Sequence, residues 1–180
     1  MSPKPPDILR KSHRHTERKE RATAKEDLRA QAAVAADDIA VRHRYTGACR
    51  CGALGYHYTT ALSPADWPVH ACECSFCQRH GTLSTSDPAG AVEIVINDAA
   101  ALERYRFGLA TADFLLCKRC GDYVAATIET SRGARAIINL KLLQAYPPDL
   151  PPPKSVSYED ETRATRIRRR AAQWTPIHAD

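Results

Sequence analysis

From Tyr45 onward, apolar and polar residues alternate in short runs separated by turn formers. Leu54–Gly55–Tyr56–His57–Tyr58–Thr59 alternates with a period of about two, the signature of a half-buried strand. Leu102–Phe107 alternates again, and Val69–Ala71, Val92–Ile96, Phe114–Leu116, Tyr123–Ile128 and Arg135–Leu140 are further short strand candidates, with Asn97–Asp98 ending one of them. Short strands between turn signals predict an all-β domain. Pro147–Pro153 reads as a polyproline-like spacer. After it, Tyr158 to Trp174 carries Arg163, Arg166, Arg168, Arg169 and Arg170, and reads as a basic loop or a short helix. No internal repeat is evident, although each cysteine-bearing turn has the look of strand–turn–strand.

Residues 1–43 lack this texture. The front is Pro-rich, with Pro3, Pro5 and Pro6, and Thr16–Ala40 is rich in Ala, Glu, Arg and Lys. Its apolar residues are mostly Ala and form almost no stripe, so a helix there would have little to bury. The expectation is an N-terminal extension, helical or disordered, over 1–43 and a single domain over 44–176. Charge supports that division. Residues 1–44 carry 11 Lys/Arg against 7 Asp/Glu, and the remainder 15 against 14. A near-neutral domain argues against nucleic acid as its main partner, and no aromatic residues interleave with the basic arm. The chain has no leader-like apolar segment and no run long enough to cross a membrane, which predicts a soluble, cytoplasmic protein.

The chemistry lies in seven cysteines. Cys49 and Cys51 form C-x-C; Cys72, Cys74 and Cys77 form C-x-C-x-x-C; Cys117 and Cys120 form C-x-x-C. An odd count and strained C-x-C spacing disfavour a disulfide framework, and a reducing compartment keeps thiols free. A thioredoxin-type C-x-x-C wants a βαβ context, whereas the residues after Cys120 read as a strand. Metal binding remains, with zinc as the metal that tetrahedral thiolates favour. Four plus three thiolates predicts two zinc ions, one in a closed site and one in a three-thiolate site with an open position. Spacing alone leaves open which clusters join.

Other groups bear on the open site. His80 lies three residues after Cys77 and His70 two before Cys72, so either imidazole is placed to supply a fourth ligand. Gly52 and Gly121 follow the outer cysteine turns, where a chain bending round a metal needs positive φ. Arg50, Arg79, Lys118 and Arg119 lie in or beside the clusters and suit the negative charge of thiolate sites. Arg79 and Arg50 are the candidates for an anionic ligand.

Gly47–Ala–Cys49–Arg–Cys51–Gly52, Cys72–Glu–Cys74–Ser–Phe–Cys77–Gln–Arg–His–Gly81 and Leu116–Cys117–Lys–Arg–Cys120–Gly121 together resemble the glutathione-dependent formaldehyde-activating family, which includes the centromere protein V domain. The resemblance runs from about Arg44 to Ala145, and the Thr162–Pro176 tail is similar to some bacterial members. It implies a zinc-stabilised, β-tent-like fold of small twisted antiparallel sheets. It also implies a structural zinc on Cys49, Cys51, Cys117 and Cys120 and a catalytic zinc on Cys72, Cys74 and Cys77. The implied reaction is carbon–sulfur lyase chemistry, reversibly adding glutathione or a similar thiol to a small aldehyde such as formaldehyde. In that reading His80 or Glu73 moves the proton and Arg79 or Arg50 holds a substrate carboxylate. The alternative is a non-enzymatic zinc scaffold that contacts protein or nucleic acid through its basic tails.

Overall fold

The structure is a computed structural model and describes residues 42–178. The helical or disordered extension expected over 1–43 therefore lies almost entirely outside the described residues. The elements run β1 (His43–Ala48), β2 (Leu54–Thr60), β3 (His70–Cys72), helix α1 (Ser75–His80), β4 (Ser84–Thr85), β5 (Ala91–Ile96) and β6 (Leu102–Tyr105). They continue with β7 (Asp113–Cys117), β8 (Tyr123–Ile128), β9 (Arg135–Asn139), β10 (Lys154–Val156), helix α2 (Arg163–Gln173) and β11 (Thr175–Pro176). Each alternating run picked out by pattern is a strand, and the domain is mostly β.

Two sheets carry the fold. The first is antiparallel, in the order β1-β2-β5. The second runs β10-β3-β4-β9-β8-β7-β6, with β11 also pairing β9. One edge of β9 is thus shared by β4, opposite Asn139 and Ile138, and by β11, opposite Ala136 and Arg135. The β10–β3 pair is parallel, so this sheet is mixed rather than purely antiparallel as the family resemblance implies. A parallel pair needs a long crossover. Here residues 73–153 intervene, and the strand after the proline spacer closes back beside the second cysteine cluster.

Alternation in β2 turns Leu54, Tyr56, Tyr58 and Thr60 inward and leaves His57 and Thr59 half-buried. His57 meets the Thr46 hydroxyl at 3.2 Å, which makes it a sheet-surface residue. Trp67 packs edge-on against Tyr45 and Tyr58, at ring-centroid distances of 4.7 and 5.2 Å. Such pairs add about 0.5–1.5 kcal/mol each beyond area burial. Gly47 lies opposite Tyr56, and a Cβ there would sit 2.2 Å from the tyrosine ring. The missing side chain lets the ring lie flat across β1 and send its hydroxyl to the Asn139 carbonyl at 2.8 Å. That bond ties the first sheet to the second.

A second apolar cluster gathers Phe76, Phe114, Tyr123, Ile128 and Trp174, with Cys77 among them. It joins α1 and α2 to the face of β7 and β8. The β7–β8 register shifts between Leu115 and Leu116, so Val124 is the extra residue of a bulge just before Cys117. A bulge bends and twists a hairpin locally, and this one aims the third cysteine turn.

The structure departs from the expected strand–turn–strand pattern at one cysteine turn. The second cysteine turn is strand–turn–helix, because Cys74 has extended backbone angles and caps α1 by accepting from the Cys77 amide. The basic segment, expected as a loop or a short helix, is a helix, α2, whose first turn is closed by the Thr162 hydroxyl accepting from the Thr165 amide at 3.2 Å.

Candidate metal centres and cleft

The first centre forms where two turns face each other. Cys49 and Cys51 lie in the turn between β1 and β2; Cys117 ends β7 and Cys120 lies in the turn into β8. Gly52 and Gly121 have φ of +75° and +79°, the left-handed bend that lets each turn curl round its sulfurs. The four sulfur atoms lie within 4.8 Å of one another. Cys51 Sγ is 3.6 Å from Cys49 Sγ and 3.5 Å from Cys117 Sγ. Those separations are far beyond a disulfide bond of about 2.05 Å. They are close to the edge of a zinc tetrathiolate tetrahedron, about 3.8 Å for a Zn–S distance near 2.3 Å.

Arg50 braces this centre. Its amide donates to the Asp122 carboxylate at 2.7 Å and its guanidinium donates to the Cys120 carbonyl at 3.3 Å. The first cysteine turn is thereby tied to the third. Arg119 pairs with Asp98 beside the centre. Cys49 and Cys117 are buried and Cys51 is exposed. Burial pushes the Cys49 thiol up, whereas the Ala53 amide leads the effects that draw Cys51 down to about 7. Four thiols this close ionise together only around a cation.

The second centre is local. Cys72 ends β3, Cys74 caps α1 and Cys77 sits in its first turn, and their sulfurs also lie within 4.8 Å of one another. Hydrogen bonds from Cys72 and then Cys77 draw the Cys74 thiol down to about 2. The Cys74 sulfur in turn holds Cys72 above the ordinary thiol value, and Cys72 leads in raising Cys77. Three sulfurs gathered this closely form a donor set that fits a divalent cation. Among the described residues, no histidine or carboxylate joins either sulfur group within that distance.

The second centre opens on a cavity. A cleft of about 1110 Å³ is lined by Cys72, Cys74 and Cys77 and by none of the other four cysteines. Phe114 and Tyr123 also line it, while the Phe107–Leu109 turn and the loop from Ser157 to Glu161 contribute walls. Helix α2 presents Arg166, Arg169, Arg170 and Gln173 to the same space. Tyr123 is fully buried three residues after Cys120, and its ring meets Phe76 of α1 edge-on at 5.3 Å. One strand thus connects the closed centre to the open one.

The flanking candidates separate in space. Arg79 and His80 sit exposed in the last turn of α1 and line no part of the cleft. The His80 ring rests on Phe76 at 4.3 Å. His70 and Glu73 do line the cleft. Burial, followed by Arg169 and Lys154, lowers the His70 pKa, and the Glu73 carboxylate accepts from the Ser155 hydroxyl on β10. Arg50 is committed to bracing the first centre and lies outside the cleft lining.

Sequence reasoning missed the α2 wall. Glu161 pairs with Arg166 at 3.1 Å and with Arg169 at 2.6 Å, and the Arg169 guanidinium lies 3.5 Å over the Tyr158 ring. Arg170 is 9% exposed, donates through Nη1 to the Thr111 hydroxyl at 2.7 Å and lies 4.8 Å over the Trp174 ring. A signal existed: positions 166, 169, 170 and 173 recur at helical spacing and share one face.

The match with known proteins follows this geometry. The family model for the glutathione-dependent formaldehyde-activating enzyme matches residues 44–160. No curated protein gives a significant match. A crystal structure of a Rhodobacter sphaeroides protein is similar at 26% identity, with 62% of this chain and 99% of that chain covered and a TM-score of 0.49. The family match spans well over half of the 180 residues and contains all seven cysteines. The chain belongs to the glutathione-dependent formaldehyde-activating enzyme family.

Proposed function

We propose that the cleft joins a thiol to a small aldehyde such as formaldehyde, and reverses that joining, as a carbon–sulfur lyase of the S-hydroxymethylglutathione synthase type. The observation that carries this reading is the asymmetry of the cysteines: three sulfurs line a cleft of about 1110 Å³, and the four-sulfur group lines none of it. Cys49, Cys51, Cys117 and Cys120 would hold a structural zinc, and Cys72, Cys74 and Cys77 a second zinc with one position free. That second ion, when bound, supplies Lewis acidity toward a carbonyl and acidifies a thiol.

The reaction is an addition. The thiol sulfur forms a bond to the aldehyde carbon, the carbonyl π pair moves to oxygen, and one proton passes from sulfur to oxygen. No electron is lost or gained. The chain's residues supply the rest. Glu73, on the cleft wall and oriented by Ser155, is the group we assign to move the proton. The buried aromatic surface of Phe114 and Tyr123 excludes water from one side of the reacting atoms. Arg79 and His80 lie outside the lining, so their expected roles as carboxylate holder and proton carrier pass to groups that face the cleft.

The rival reading, a zinc scaffold with basic tails reaching for phosphates, draws on the arginines of α2. Arg166 and Arg169 are committed to Glu161 and Arg170 is buried, which weighs against it. The reducing chemistry of free thiols also fits a cytoplasmic setting. Among the described residues no helix is long and apolar enough to cross a membrane.

The test is exchange NMR on glutathione and formaldehyde. The zinc-loaded protein is expected to raise the exchange rate above that of buffer at protein concentrations far below substrate, and Cys74→Ser to return it to the buffer rate. A zinc-loaded wild type no faster than buffer with any small thiol would overturn the proposal.

A further inference from the structure

The cleft contains a buried arginine that makes no ion pair among the described residues. Three arginines of α2 line it, and Glu161 serves two of them. Arg170 has no carboxylate within ion-pair reach among the described residues, although it is 9% exposed. Its Nη1 is used by Thr111, while its Nε is buried with no hydrogen-bond partner. Burial, with Arg169 and Arg166 beside it, draws its pKa down to about 10, so it stays charged at neutral pH. A buried guanidinium without a counter-charge is costly, and such groups are kept where an anion completes them.

The geometry of the free edge narrows the ligand. With Nη1 occupied, the Nε–Nη2 edge remains, and two parallel N–H groups match the two oxygens of a carboxylate. The face of the guanidinium is held by Trp174 and its orientation by Thr111, so the edge is positioned before any ligand arrives. Glu73, Glu159 and Glu161 also line the cleft and disfavour a doubly charged phosphate. Arg170 lies beyond residues 44–160, outside the stretch the family match covers.

We infer that Arg170, set by Thr111 and Trp174, is the carboxylate anchor of the cleft, and that it selects thiols bearing a carboxylate over neutral ones. This rests on the thiol–aldehyde reading for its substrate but not for its binding site. Three probes separate the two claims: 3-mercaptopropionate, its neutral amide, and 3-(methylthio)propionate, which keeps the carboxylate but has no thiol to add to an aldehyde. Binding is read from the fluorescence of Trp174, because Trp67, the second tryptophan, is buried in the other apolar cluster and lines no part of the cleft.

The acid is expected to bind the wild-type protein about tenfold or more tightly than the amide, the size of one charge-assisted interaction. Arg170→Gln should bring that ratio close to one, and Thr111→Val should reduce it several-fold by loosening the guanidinium. If Arg170→Gln does not fold, the wild-type ratio and the Thr111→Val ratio still decide. Equal binding of acid and amide by the wild type, or a ratio that survives both substitutions, overturns the anchor. If 3-(methylthio)propionate binds in an Arg170-dependent way while no thiol–aldehyde exchange is accelerated, the anchor stands and the lyase reading falls. If exchange is accelerated equally for acid and amide, the lyase reading stands and the anchor falls.

Discussion

The two cysteine centres use the same atoms for opposite structural purposes. The first draws Cys51 and Cys117 together across 66 positions of sequence, at the meeting of a β1–β2 turn and a β7–β8 turn. The second spans only Cys72 to Cys77, within one strand end and one helical turn. A cross-link that closes a long loop removes more freedom from the unfolded chain than one that closes a short loop. With a metal held on its four sulfurs, the first centre would organise the fold. The second barely constrains the unfolded chain, and its sulfurs line a cleft. Their difference lies in sequence separation and surroundings, not in ligand chemistry.

That contrast breaks most readily at Cys117, which is 1% exposed and ends the strand entering the first centre. Cys117→Ser is expected to lower the melting temperature by about 15 °C or more, or to leave the protein insoluble, because a structural zinc contributes folding energy directly. Cys74→Ser should do far less. A serine at that position still caps α1, since a hydroxyl accepts the Cys77 amide as well as the sulfur does. The expected result is a fall of about 5 °C with metal content, by elemental analysis, dropping from two equivalents to one. Equal collapse of both variants would mean that both centres organise the fold.

A smaller effect separates the cleft wall from the first centre. Hydrogen bonding from Arg169 leads the influences that hold the Glu161 carboxyl below its ordinary value of 4.5. A carboxyl depressed by folding contributes stability above its unfolded pKa, and that contribution is lost as pH falls through the folded pKa. The α2 clamp should accordingly hold at neutral pH and loosen below about pH 4.5. Glu161→Gln should mimic the acid state at pH 7, with faster amide exchange in α2 and a melting temperature lower by about 2–4 °C, the scale of one partly exposed pair. Metal content should stay at two equivalents. Loss of metal from the first centre on this substitution would show that the wall and the organiser are coupled.

Much of this arrangement was legible before any coordinates. Period-two alternation located β2 and β6, and short apolar runs between turn signals located β5, β7, β8 and β9. The cysteine spacing marked all three turns. What escaped were elements too short to show a period: β4 and β11, at two residues each, exist because β9 offers them an edge. The helix α1 was hidden because Cys74 serves as both cap and candidate ligand, and cysteine is not a residue that announces a helix start. The α2 wall escaped for another reason. Five arginines in the segment from Arg163 to Arg170 read only as a basic loop or a short helix, and tertiary placement opposite Tyr158, Glu161 and Thr111 turns three of them into a lining. Adjacency in sequence favoured Arg79 and His80, yet the helical turn after Cys77 carries both away from the cleft.

His80 gives the most sensitive check on whether the second centre is open. If an imidazole completed that centre, both centres would be closed and the contrast between them would disappear. The His80 ring instead rests on Phe76 at the exposed end of α1, and it belongs to no group of metal-capable atoms within 4.8 Å of the three sulfurs. His80→Ala removes one exposed ring contact, so the melting temperature should move by about 1 °C or less. Zinc content should remain at two equivalents. In the cobalt-substituted protein, thiol addition should perturb the visible spectrum of wild type and His80→Ala alike, since the thiol enters a position His80 does not occupy. A thiol response that appears only after His80 is removed would place the imidazole on the metal, close the second centre, and leave the cleft without an open position for chemistry.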